Sequence, residues 1–191
     1  PKIAALELQI AYVKTKSNFL LDEIKEITLS EEKNRETITK LKSEYRSILT
    51  KYHASKSDYS EIENPIELQF ENVDKLFSAF EVSMEKNEYT EVGKIVKAID
   101  DTVGNLKVVI EEAPSIIIMG KKLIPDKIND IKKITSKMEK EGYNLDYLNI
   151  DYNIVESDKK ISDVFARLNV LNLEDSVFEL KTILDYFDSL Y

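Results

Sequence analysis

Apolar residues recur every three or four positions from Ile3 to Tyr52, inside a stretch (residues 2–64) with neither Gly nor Pro. Ile3, Leu6, Ile10, Val13, Ser17, Leu20, Ile24, Ile27, Glu31, Asn34, Ile38, Leu41, Tyr45, Ile48 and Tyr52 are the 15 positions of this seam. Twelve of them are apolar, against about six expected from a 42% hydrophobic composition. A 3.5-residue period held this long predicts one helix with a coiled-coil-like seam, about 75–80 Å long at ~1.5 Å per residue. Ser17, Glu31 and Asn34 are the polar exceptions. Thr28 and Glu31 have the spacing of a capping box, which could open a second helix there. The register runs through that point unbroken, so a single helix is expected.

Lys56 to Asn64 is mostly polar and ends before Pro65, which marks a helix break. The seam restarts with Ile66, Phe70, Val73, Phe77, Phe80 and Met84, and Asn87-Glu88 marks a tight turn. Tyr89, Val92, Val96, Ile99, Val103, Leu106, Ile110, Ala113 and Ile117 follow, nine apolar positions of nine. Gly93 and Gly104 lie off this seam, each at ~1 kcal/mol relative to Ala. Pro114 is expected to kink the helix without ending it, because the seam reaches Ile117. The register shifts around Pro125 and resumes at Ile128, Ile131 and Met138. Gly142 then occupies the position just past a C-cap. The last 49 residues predict two short helices, one carrying Ile150, Ile154, Ile161, Val164 and Leu168, the other Leu173, Leu180, Ile183, Phe187 and Leu190.

A shift of 84 residues superposes Phe77, Phe80, Met84, Tyr89, Val96, Ile99, Val103 and Leu106 on Ile161, Val164, Leu168, Leu173, Leu180, Ile183, Phe187 and Leu190. A shift of 86 places the first seam on the one that begins at Tyr89. Long helix, short return helix and long helix again is the connectivity of spectrin-like arrays, in which neighbouring units complete each other's cores. The expected fold is all-α: elongated spectrin-like antiparallel bundles with long helices shared between consecutive repeats. Residues 1–88 would form a first repeat, 89–172 a second and 173–191 the start of a third, so that the chain reads as a piece of a longer rod.

Composition narrows the chemistry. There is no Cys and no Trp, and one His in 191 residues, which removes disulfides, thiol nucleophiles and thiolate metal sites. His53 has no carboxylate at helical spacing and reads as a surface residue at a helix end. The paired carboxylates at Asp22-Glu23, Glu31-Glu32, Asp100-Asp101, Glu111-Glu112 and Glu174-Asp175 point about 100° apart along a helix and do not converge on a site. Glu174-Asp175 is expected in a first helical turn, where negative charge suits the dipole. No phosphate-binding loop, dinucleotide fingerprint or nucleophile elbow occurs. No cofactor, metal or catalytic residue is expected, and a di-metal carboxylate bundle would need more than one His.

The net charge of −9 argues against a nucleic-acid partner. One segment departs from it. Residues 121–140 hold seven Lys against three acids, while residues 143–191 carry −6. Lys121, Lys122, Lys127, Lys132 and Lys133 are the candidate docking patch for an acidic peptide or an anionic membrane surface; the alternative is a solvated helix face with a weak Asp130–Lys133 pair. Ile116-Ile117-Ile118-Met119 beside it is either a partner patch or a plug for the bent helix. The seam from Ile3 to Ile27 could pack within the chain or on a second copy.

Several strings resemble the septation ring formation regulator family (EzrA). They are Asn87-Glu88-Tyr89 with Glu91; Ile110-Glu111-Glu112-Ala113-Pro114; Leu123-Ile124-Pro125; Glu141-Gly142-Tyr143; and Leu145-Asp146-Tyr147-Leu148-Asn149-Ile150. Glu32-Lys33-Asn34-Arg35 is similar too. The resemblance covers roughly residues 20–191, with its most specific part from Ile110 to Ile150. It implies a non-enzymatic, spectrin-like cytoplasmic protein of Gram-positive bacteria at the inner face of the membrane and the division septum. It also implies an N-terminal membrane anchor not present in this chain, and binding to FtsZ and other division proteins so as to restrain or position ring assembly. Ile116 to Lys122, apolar and then basic, departs from the family pattern. A cytoplasmic coiled-coil scaffold unrelated to division is the alternative.

Overall fold

The structure, a computed structural model, describes residues 2–191. Six α-helices account for most of the chain, and no strand occurs among the described residues. They are α1 (Lys2–Ala54), α2 (Glu63–Glu85), α3 (Tyr89–Ile118), α4 (Ile124–Lys140), α5 (Ile150–Leu168) and α6 (Ser176–Asp188). Short 3-10 turns fall at Lys56–Tyr59 and Asp146–Leu148, and a π-helical turn at Met119–Leu123 joins α3 to α4. The all-α class expected from the seams is what the structure shows.

The single first helix is confirmed at 53 residues. Thr28 caps nothing: its hydroxyl donates to the Ile24 carbonyl at 2.9 Å, inside the continuous helix. Pro65 lies in the first turn of α2, where its missing N–H costs nothing.

Contacts divide the chain into two compact units. The first comprises residues up to 45 together with 74–101. Its core contains Ile38, Leu41, Tyr45, Phe80, Met84, Val92 and Ile99. The Tyr45 and Phe77 rings are 5.7 Å apart, and Lys42 reaches Glu81 at 2.9 Å.

The second unit comprises 46–73 and 102–191. Tyr52 is fully buried in it, its ring 5.2 Å from Phe70 and 5.4 Å from Tyr59. Val103, Leu106, Val109, Ala113 and Ile116 of α3, with Ile124 of α4, are also fully buried there. Ile154, Val164 and Leu168 of α5, and Leu180, Ile183 and Phe187 of α6, complete this core. Each buried Val, Leu, Ile or Phe contributes about 1.5–3 kcal/mol, well above the ~1 kcal/mol cost of an exposed helical Gly at Gly93 or Gly104.

Both prolines of the second long stretch stay inside helix. Pro114 leaves the Ile110 carbonyl without its intrahelical donor, and the Tyr59 hydroxyl fills that place at 2.8 Å. Before Pro125 the chain widens: the Ile124 N–H bonds back five residues to Met119 O. The wider turn rotates less per residue, so Ile116, Gly120, Ile124 and Ile128 are all buried at four-residue steps. This is the register shift read around Pro125. Ile116 and Met119 are core residues while Ile118 is exposed, so the apolar cluster mostly plugs the junction.

The α4 helix ends as expected. Gly142 has φ +94°, its N–H bonds to Glu139 O and the Tyr143 N–H to Met138 O, a Schellman closure. Asn87 (φ 57°) and Leu171 (φ 57°) close α2 and α5 with the same paired bonds, to Met84 and Ser83 in one turn and to Leu168 and Arg167 in the other. The expectation for Glu174-Asp175 is corrected: α6 starts at Ser176, and Asp175 precedes it with φ 56° and no capping bond. Arg167 occupies the space instead, bonding Glu174 O at 2.6 Å and both Glu179 oxygens at 3.1 Å.

Candidate interaction surfaces

α4 buries Ile124, Ile128 and Ile131 and turns its opposite face to solvent. Helical spacing puts Lys122, Lys133, Lys137 and Lys140 on or beside that outer face, with Asp126 and Asp130 among them, and Lys121, Lys127 and Lys132 on the flanks. Their engagements differ. Lys121 is 2.6 Å from Glu61 and lies over the Phe165 ring. Lys127 is paired with Asp188, lies 4.3 Å from the centre of the Tyr191 ring, and has its ammonium pKa held above the usual range by the Asp188 hydrogen bond. Lys133 meets Asp130 at 3.5 Å. Among the described residues, Lys122, Lys132, Lys137 and Lys140 form no ion pair.

The five candidate lysines are therefore not one uniform patch. Lys121 and Lys127 hold other elements of the second unit, while Lys122 and Lys132 are available. Glu61, Asp188 and Tyr191 had no local signal in the sequence, because their partners lie tens of residues away.

The link between α1 and α2 carries a cluster of paired charges. Lys56 bridges Glu63 at 2.6 Å and Glu67 at 2.8 Å, and Tyr52 Oη donates to Glu67 at 3.2 Å. Hydrogen bonds to Glu63 and Glu67 push the Lys56 ammonium up, and the Lys56 hydrogen bond holds the Glu67 carboxyl below its ordinary range. Burial raises the Tyr52 phenol to about 12. His53 is exposed, edge-on to Tyr52 at 5.3 Å, and no group of three or more potential metal ligands occurs among the described residues. This cluster closes a helical connection; it presents no cleft for a substrate.

Two apolar features remain. A groove of about 400 Å³ in the second unit is lined by Ile131, Ile134, Met138, Leu145, Leu148 and Leu190, among others. In the first unit, α1 up to Leu29 exposes its large apolar residues. Both features suit docking better than chemistry.

The model of the septation ring formation regulator family, EzrA, matches residues 1–191. The chain belongs to this family. Septation ring formation regulators similar to it include one from Bacillus licheniformis, 26% identical over 99% of this chain and 34% of the relative. One from Staphylococcus epidermidis is 26% identical over 83% and 28%, and one from Geobacillus is 24% identical over 90% and 30%. The chain thus spans about a third of the length of the curated relatives it matches. No solved structure matches it.

Apart from Glu32-Lys33-Asn34-Arg35, which lies inside α1, the strings that carry the EzrA resemblance include the points where the backbone departs from regular helical bonding. Asn87 makes the left-handed turn between α2 and α3, and Pro114 creates the carbonyl that Tyr59 fills. Pro125 follows the π turn, Gly142 closes α4, and Asp146–Leu148 is a 3-10 turn. These residues shape the backbone; none of them forms a reactive site.

Proposed function

We propose that this chain is a structural and docking segment of a septation regulator that binds FtsZ and restrains or positions assembly of the division ring. The observation that carries this reading is the EzrA family match along all 191 residues. On this reading the segment acts by binding and not by catalysis, and the protein works at the inner face of the membrane at the division septum. No helix of the described residues is long and apolar enough to cross a membrane. The repeats are residues 1–88, 89–172 and 173–191. The matching turns at Asn87 and Leu171, 84 residues apart, support that division.

The docking surface is the basic segment, Lys121, Lys122, Lys127, Lys132 and Lys133, with the charge for an acidic partner supplied chiefly by the unpaired Lys122 and Lys132. Co-sedimentation with purified FtsZ polymers at low and near-physiological salt tests both parts. A variant with Lys122, Lys132, Lys137 and Lys140 changed to Glu leaves the Lys121–Glu61 and Lys127–Asp188 pairs intact. Binding that weakens with salt and disappears in this variant is the expected result. Binding that survives the charge reversal removes the site, and none at either salt removes the FtsZ reading for this segment.

A further inference from the structure

We draw no further inference here: the strongest candidate, the apolar groove of about 400 Å³ between the end of α4 and the end of α6, lined by Ile131, Ile134, Met138, Leu148 and Leu190 among others, is a face that the expected shared-helix repeats already assign to a neighbouring repeat, and nothing in the structure shows another occupant.

Discussion

Tyr59 shows how one side chain licenses another residue's presence. A proline inside a helix removes one backbone hydrogen bond and costs ~3 kcal/mol or more. Pro114 does this to Ile110, whose carbonyl is buried, and Tyr59 donates to it at 2.8 Å from the segment linking α1 to α2. Tyr59→Phe leaves that carbonyl short of a donor and should destabilise the protein by about 1–3 kcal/mol. In a Pro114→Ala background the alanine N–H supplies the bond, and the same Tyr59→Phe change should cost well under ~1 kcal/mol. Chemical denaturation of the four proteins gives the coupling. Equal losses in both backgrounds would mean that the hydroxyl does not stand in for the missing N–H.

At the scale of elements, Gly120 is the residue on which the joint between α3 and α4 depends. It is buried in the π turn, and a Cβ there would run into the Phe165 ring of α5. Gly120→Ala should therefore cost about 1–3 kcal/mol through displacement of that ring. Gly93→Ala meets nothing within 4 Å on the exposed face of α3 and should gain roughly 1 kcal/mol. Thermal melts of the two variants should move in opposite directions, and a stabilised Gly120→Ala would mean that the ring gives way freely. The two glycines also mark how far the sequence was legible. Periodicity placed Gly93 off the seam, and it recovered α1, α3, α5 and α6 because a 3.5-residue period is a local property. It also found Pro114 and Gly142, whose backbone effects are local. It did not find the burial of Tyr59 and Ile62 inside a polar linker, the closeness of Gly120 to Phe165, or the pairing of Lys121 and Lys127 with Glu61 and Asp188. Each of those depends on a contact at long sequence separation. Glu174-Asp175 misled for a related reason: acidic residues before a helix suit its dipole, but Asp175 makes no capping bond, and Arg167, from the preceding helix, instead binds the Glu174 carbonyl and the Glu179 carboxylate.

The titration of the whole chain follows from where its phenols and ammonium groups sit. Burial raises the Tyr52 phenol to about 12 and pushes Tyr45 and Tyr59 up as well, above the ~10 of a free phenol. The fold thus favours the neutral phenol. Its contribution is complete below pH ~10 and is lost as the pH rises toward the folded value. Lys56, Lys127 and Lys159 are also raised, by hydrogen bonds to Glu63, Asp188 and Glu156 in turn, and lose their contributions in the same direction. Glu67 has the opposite sign: Lys56 holds it low, so its contribution is present above the usual carboxylate range and fades as the pH falls through the lowered value. Glu67 is an exposed partner, so the acid limb should be shallow. Thermal midpoints should be flat from about pH 6 to 9 and fall steeply above pH ~10. Salt separates the two alkaline causes, because it screens the exposed lysine pairs and leaves the cost of ionising a buried phenol nearly untouched. In ~1 M NaCl, with a Debye length of ~3 Å, the fall above pH 10 should persist, and Tyr52→Phe should make it shallower. A fall that vanishes in salt, or that Tyr52→Phe leaves unchanged, would assign the alkaline limb to the surface pairs and not to the tyrosines in the core.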